Sequence, residues 1–237
     1  MKAFVIHPER LKERGEHIDR MLRGIGMDYE FVNEGHAPAQ IQAYIDHYLR
    51  DGHEKMCQPV PRSLCTLSHF LAYERIESEK LEGAVIFEDD IVLHDNFLDG
   101  FDRSIEEYRK NYTGQSVLIS YEDSSLRFVP RSQRKKGQLL YPALKGRMAG
   151  AYFINRIAAK AILDQLGRER CDEGIDWYHN TLFDKGLVKC LWCQPALASQ
   201  GSFTGDFHSS LSSKKYFSAS LNWWAKKKYK QLLYWLR

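Results

Sequence analysis

Three consecutive carboxylates, Glu88-Asp89-Asp90, follow directly on the apolar run Ala84-Val85-Ile86-Phe87, and apolar residues resume at Ile91-Val92-Leu93. A buried strand accounts for the apolar residues. It does not account for the acids, because adjacent like charges repel and resist desolvation. Two arrangements relieve them. Either the strand ends in a cleft where a divalent cation offsets the charge, or the acids form a loop that caps the next helix. In the first case, hard oxygen ligands beside few fixed protein groups select Mg²⁺ or Mn²⁺, with phosphates and water completing the shell.

The surrounding elements decide where such a strand end would sit. Ala3-Phe4-Val5-Ile6 reads as a first buried strand, ended by Pro8. Glu9 to Arg23 has helical spacing through Leu11, Ile18, Met21 and Leu22, closed by Gly24 and Gly26, and Tyr29 to Val32 is a second strand. This β-α-β opening calls for a mostly parallel sheet with helices on its faces. Further helices are expected near Ala39 to Leu49, over Leu64 to Leu81, Asn96 to Tyr108, Arg156 to Leu166 and near Ile175 to Lys185. Strands are expected at Ser116 to Tyr121, Gly150 to Ile154 and Val188 to Trp192. Arg127 to Lys136, which holds five basic residues, reads as a loop or flap: a solvated face, or a contact for phosphate or acceptor. In an open α/β sheet, ligands bind outside the C-terminal ends of the strands, which is where Glu88 to Asp90 would lie.

Composition limits the partners. The 237 residues are 43% hydrophobic, enough for a sizeable core, and show no long linker. The net charge of +3 is unevenly distributed. After Asp206 there is no acidic residue, whereas Lys214, Lys215, Lys226, Lys227, Lys228, Lys230 and Arg237 supply seven positive charges. Taking those seven from the 34 basic residues leaves 27 against 31 acidic ones, a mildly acidic body with a basic tail. The N-terminus is too soon broken by Pro8 to be a signal peptide, and no apolar run approaches the ~18 residues that span a bilayer. The five cysteines have no disulfide-framework spacing, and Cys190-x-x-Cys193 lacks a second pair to close a zinc site. Reduced thiols in the cytosol are the expectation.

Five segments in order resemble glycosyltransferase family 25, the lipooligosaccharide and lipopolysaccharide galactosyltransferases of Gram-negative bacteria. They are Cys65-Thr66-Leu67-Ser68-His69, Gly83 to Leu93, Gly150-Ala151-Tyr152-Phe153-Ile154-Asn155-Arg156, Ile175-Asp176-Trp177 and Gln194 to Gln200. The opening Phe4-Val5-Ile6 with Arg10 and Arg14 is similar to the family's first strand and Arg-bearing helix, although His7 stands where the family usually has Asn. The resemblance covers residues 1 to about 205.

It implies a GT-A type nucleotide-sugar fold with a mostly parallel sheet, a UDP-hexose donor (galactose in the commonest members), Mn²⁺ or Mg²⁺, and inversion at the anomeric carbon. It further implies Glu88 on the ribose side, Asp90 on the metal, and Asp89 in either shell. Ser68, His69, Gly150 and Arg10 are then candidate donor contacts. Gln200, Asp206 and His208 are candidates for a further metal ligand. An inverting transfer needs a base within reach of the acceptor hydroxyl. Asp176, beside the aromatic Trp177, is the first choice and Glu173 and Asp172 the next; the alternative for Asp176 is to N-cap the helix that follows.

Leu221 to Arg237 is amphipathic at helical spacing. Leu221, Trp224, Ala225, Tyr229, Leu232, Leu233, Trp235 and Leu236 lie on one face and Lys226, Lys227, Lys230 and Arg237 opposite, with Lys228 out of place and Trp223 and Tyr234 near the polar side. Such a helix suits the headgroups of an anionic membrane, or packs on the body or on a second copy. The expected organisation is a catalytic domain over 1–205 and a basic aromatic tail over 206–237, peripheral on the cytoplasmic face of the inner membrane. An oligosaccharide or lipid-linked saccharide is the expected acceptor, with no nucleic acid involved. Two rival readings are a metal-dependent phosphohydrolase and a non-catalytic membrane adaptor.

Overall fold

The computed structural model describes residues 1–32, 37–51, 61–124 and 127–201, together with 225, 228–230, 232 and 233. Nine strands run β1 (Ala3–Ile6), β2 (Tyr29–Phe31), β3 (Gly83–Glu88), β4 (Ile91–Leu93), β5 (Val117–Ser120), β6 (Leu140–Ala143), β7 (Ala151–Asn155), β8 (Lys189–Cys193) and β9 (Ala198–Gln200). Between them lie helices α1 (Lys12–Gly24), α2 (Pro38–Tyr48), α3 (Pro61–Ser78), α4 (Phe97–Asn111), α5 (Arg156–Leu166) and α6 (Ile175–Asp184). Seven strands form one sheet in the order β2-β1-β3-β7-β5-β8-β6, and β4 pairs with β9 in a separate ribbon. Of the seven, β2, β1, β3, β5 and β8 point one way and only β7 and β6 oppose them. The sheet is mostly parallel, as the β-α-β opening requires.

Helices cover both faces, so the central strands are apolar on both sides rather than alternating with polar residues. Because side chains point alternately to the two faces, each strand divides between two cores. Phe4, Ile6, Ala84, Ile86, Tyr152 and Ile154 pack with Leu67, Phe70 and Tyr73 of α3 and Ile162 of α5. Ala3, Val5, Val85, Phe87, Ala151 and Phe153 pack with Ile18 and Leu22 of α1 and with Phe97, Phe101 and Ile105 of α4. Helix α5 is capped by Asn155, whose side chain accepts from the Ala158 backbone N–H.

The C-terminal ends of β1 and β3 reach the same edge because the two strands are parallel neighbours with Ile6 opposite Glu88. Asp89 and Asp90 form the turn from β3 into β4. Residues 127–136 are irregular apart from one short 3₁₀ turn at Arg131–Gln133. Three strands have no counterpart in the periodicity: the three-residue β4, the three-residue β9, and β6, which contains Pro142 on the sheet edge. Among the described residues no helix is long and apolar enough to cross a membrane. In the tail, Ala225, Lys228–Lys230, Leu232 and Leu233 are helical; the rest of the amphipathic segment lies outside the described residues, as do Asp206 and His208.

Candidate active site

The parallel register places His7 beside Asp89, and the first turns of α1 bring Arg14 over the same carboxylate. His7 Nδ1 donates to Asp89 Oδ2 at 2.9 Å and Arg14 Nη1 donates to Oδ1 at 2.9 Å. All three side chains are buried. Both oxygens of Asp89 are therefore held by protein groups. The close approach of α1 depends on Gly15, where a Cβ would stand 2.7 Å from His7 Nε2. Arg14 also lies 3.7 Å from Asp90 Oδ2.

The small ribbon carries Gln200 to the acidic turn. Pairing Ile91 with Gln200 sets the Gly201 N–H on the Asp90 carbonyl at 2.7 Å, and Gln200 Nε2 lies 3.4 Å from Glu88 Oε2. Gly150 completes this contact. Its carbonyl accepts from the Glu88 N–H at 2.8 Å, and a Cβ there would come within 2.7 Å of Gln200 Nε2 and 3.0 Å of Ile91 Cδ1. Packing against Gln200 and Ile91 thus accounts for this glycine.

One carboxylate at the site was not singled out in the sequence. Glu122 is fully buried just past β5, on the same edge as Glu88, and its Oε2 accepts from the N–H groups of Gly150 at 2.7 Å and Ala151 at 3.3 Å. Its signal was present: Val117-Leu118-Ile119-Ser120-Tyr121-Glu122-Asp123 is a second apolar run ending in acids.

Asp176 lies in the first turn of α6, but Gly174 is the N-cap and no side chain caps the helix. The Asp176 carboxylate instead accepts from the Ala149 backbone N–H. It is open to solvent on one side and enclosed by protein on the others, next to Trp177, which is 73% exposed. The start of α6 is tied to α3 by the Ile175 N–H donating to Thr66 Oγ1 at 3.2 Å. Asp172 pairs with Arg50 at 2.7 Å, and Glu173 accepts from Thr181 Oγ1 at 2.7 Å. Asp172 is thereby tied to the stretch after α2, and Glu173 to α6.

The acids share one electrostatic environment. Burial first, then the Asp89 charge, pushes Glu88 up to about 7, against smaller pulls from the Cys65 hydrogen bond and then Arg14. Burial and then Glu88 push Asp176 up to about 7, opposed by the Ala149 hydrogen bond and by Arg127 and Arg62. Burial, then Glu88 and Asp176, holds Glu122 well above the usual carboxylate range. Carboxylates that favour their protons for want of positive charge are a fitting donor set for a hard divalent cation, which needs only one or two of them beside phosphates and water. Asp90, at the turn where β3 ends, is the acid of this edge that would hold it, and the Gln200 side chain reaches the edge beside Glu88.

The remaining candidates separate clearly. His69 is wholly buried, with Nδ1 2.8 Å from the Tyr152 hydroxyl, and burial lowers it to about 3, so it is neutral. Ser68 is buried and donates to the Leu64 carbonyl of its own helix at 2.7 Å. Arg10 is exposed in the turn before α1, with no ion pair to the acidic cluster among the described residues. Cys190 and Cys193 lie three apart on β8 and so face opposite sides of the sheet, which removes them from any shared metal site.

A family model described as glycosyltransferase family 25 (LPS biosynthesis protein) matches residues 1–175. No curated protein matches the chain. Among solved structures, mouse xyloside xylosyltransferase 1 in its apo form is similar at 10% identity and a TM-score of 0.36, over 78% of this chain and 69% of that one. That likeness is too distant to carry an argument. The family match spans about three quarters of the 237 residues and includes β1, α1, the acidic turn and Gly150; it ends at Ile175, one residue before Asp176. The chain belongs to glycosyltransferase family 25.

Proposed function

We propose that the protein transfers a hexose, galactose foremost, from a UDP-sugar to a saccharide acceptor of lipooligosaccharide or lipopolysaccharide, with inversion and on a GT-A type scaffold. The observation that carries this reading is the division of labour at the end of β3. Asp89 is clamped by Arg14 and His7, while Glu88 meets the Gln200 side chain and the Asp90 carbonyl accepts from the Gly201 N–H at the C-terminal edge of the sheet. Asp90 and Gln200 would hold Mn²⁺ or Mg²⁺, with His208 a further candidate beyond the described residues. When bound, the cation supplies charge neutralisation of the diphosphate leaving group. Glu88 would face the ribose.

In the transfer, the acceptor oxygen forms a bond to the anomeric carbon, the bond from that carbon to the diphosphate breaks, and the hydroxyl proton passes to a base. Asp176 fits that role. Its affinity for a proton is matched to neutral pH, solvent reaches it, and Trp177 beside it offers a ring face for a sugar. The basic tail would hold the enzyme on the anionic cytoplasmic face of the inner membrane, where a lipid-linked acceptor is presented.

The reading is tested with a panel of UDP-sugars and Mn²⁺, scored by UDP release with and without a truncated lipooligosaccharide. Acceptor-stimulated release from one UDP-hexose, with the new linkage β, is expected. Phosphodiester cleavage, or no release from any donor, would overturn it.

A further inference from the structure

Cys65 and His69 are one helical turn apart on α3 and project to the same side. Cys65 Sγ lies 3.8 Å and His69 Nε2 3.6 Å from Glu88 Oε1, and the three ligand atoms fall within 4.8 Å of one another. His69 Nε2 is buried and has no hydrogen-bond partner among the described residues. A buried ring nitrogen left in this condition calls for an explanation. We infer that Cys65, His69 and Glu88 form a second cation site, distinct in chemistry from the hard-cation position at Asp90 and suited to a borderline-soft transition metal such as Zn²⁺.

The distances fit. Tetrahedral Zn²⁺ with sulfur, nitrogen and oxygen ligands places them about 3.3–3.6 Å apart, so the two distances to Glu88 Oε1 need to close by only about 0.3 Å, and Cys65 Sγ and His69 Nε2 start within 4.8 Å of each other. Thiolate and imidazole ligands favour Zn²⁺ over Mg²⁺ or Mn²⁺. The Glu88 side chain is 23% exposed and provides the way in, leaving the fourth position to water. Binding displaces the Cys65 thiol proton to solvent and forms the metal–sulfur bond.

The surroundings of His69 supply the hydrogen-bonded support that a metal-ligating histidine requires. Its Nδ1 is 2.8 Å from Tyr152 Oη, Tyr152 Oη is 2.6 Å from Tyr73 Oη, and Tyr73 Oη is 2.7 Å from His179 Nε2. If each group donates to the next in that order, every hydroxyl is satisfied, the proton of His69 rests on Nδ1, and the lone pair of Nε2 points towards Cys65 and Glu88. The reverse order puts a proton on Nε2 facing Glu88 at a distance too long for a hydrogen bond. The first order gives the tautomer that a metal needs, and a metal on Nε2 would fix it.

The test is a titration of the reduced, full-length protein with Co²⁺, read through the thiolate-to-cobalt charge-transfer band in the near ultraviolet, followed by displacement with Zn²⁺. A saturable band that Zn²⁺ removes and excess Mn²⁺ does not is expected. Cys65→Ser should abolish it and weaken Zn²⁺ binding at least about tenfold, and Cys190→Ser should leave it unchanged. A band that survives Cys65→Ser, or no band in the wild type, overturns the site. X-ray absorption at the zinc edge gives an answer without mutation: one sulfur and two to three nitrogen or oxygen neighbours support the site, and no sulfur refutes it.

Discussion

Arg14 Nη1 lies 2.9 Å from Asp89 Oδ1 and 3.7 Å from Asp90 Oδ2, so one guanidinium serves two adjacent carboxylates. Arg14 and Asp89 are both buried, and the charge of Asp89 has no bulk water to screen it. Arg14→Ala should therefore cost about 3–5 kcal/mol, the penalty of leaving a buried charge without its partner. Arg14→Lys should recover only part, because an ammonium does not reproduce the planar fork. Urea unfolding measures both; a loss below about 1 kcal/mol for Arg14→Ala would mean that His7 alone suffices.

Asp90→Ala separates the two neighbouring aspartates. Removing the proposed cation ligand should lower Mn²⁺-dependent UDP release by more than the about 10–100-fold that supporting-shell changes cost. The circular dichroism spectrum and unfolding midpoint should stay close to wild type, since the clamp on Asp89 remains. Wild-type turnover by this variant would remove the assignment.

Asp176 predicts the pH profile. A base must be deprotonated to accept the acceptor's proton, so kcat/KM should rise with pH and level off above about 7, the value to which burial and Glu88 push this carboxyl. Asp176→Asn should lose turnover by about 10²–10⁴-fold and with it the rise. Near-normal kcat in that variant would exclude Asp176 as the base.

What could be read from the residues was set by how locally it is encoded. The strand at Val85 to Phe87 and the helix around Ile18 and Leu22 stand out because each buries a continuous apolar set. The ribbon that joins Ile91 to Gln200 does not, since Ala198-Ser199-Gln200 is short and becomes a strand only by pairing with β4. The same limit applied to the site. Glu88 to Asp90 were conspicuous as an electrostatic oddity, and Asp176 was reached through the family's motif. The clamp of His7 on Asp89 follows from a strand register, Ile6 opposite Glu88, that no local pattern displays. Glu122 went unnoticed although its strand ends as the acidic one does, because a lone buried carboxyl gains its meaning only from the Gly150 and Ala151 amides it holds.

The basic tail makes a prediction independent of the catalytic site. Each Lys or Arg near an anionic surface contributes about 1 kcal/mol, an attraction weakened by salt. In liposome flotation, the full chain should partition onto phosphatidylglycerol-containing vesicles and leave them as ionic strength rises. A chain ending at residue 213 should stay in solution. Equal partitioning of the two would sink the membrane role.

The acidic cluster costs the fold stability. Glu88 has its proton affinity raised from 4.5 to about 7, by burial first and by Asp89 second. Between these values the folded protein holds more protons than the unfolded chain, so stability must fall as pH rises through that window, and the full penalty is present above pH 7. Glu88→Gln keeps the shape without the charge. In the presence of EDTA it should stabilise the protein at pH 8 by on the order of 1–3 kcal/mol, raising Tm by several degrees. At pH 4 to 4.5, where the wild-type carboxyl is protonated in the fold, the gain should largely vanish. A gain of equal size at both pH values would point to packing rather than charge, and a loss at pH 8 would show that Arg14 already compensates Glu88 in full.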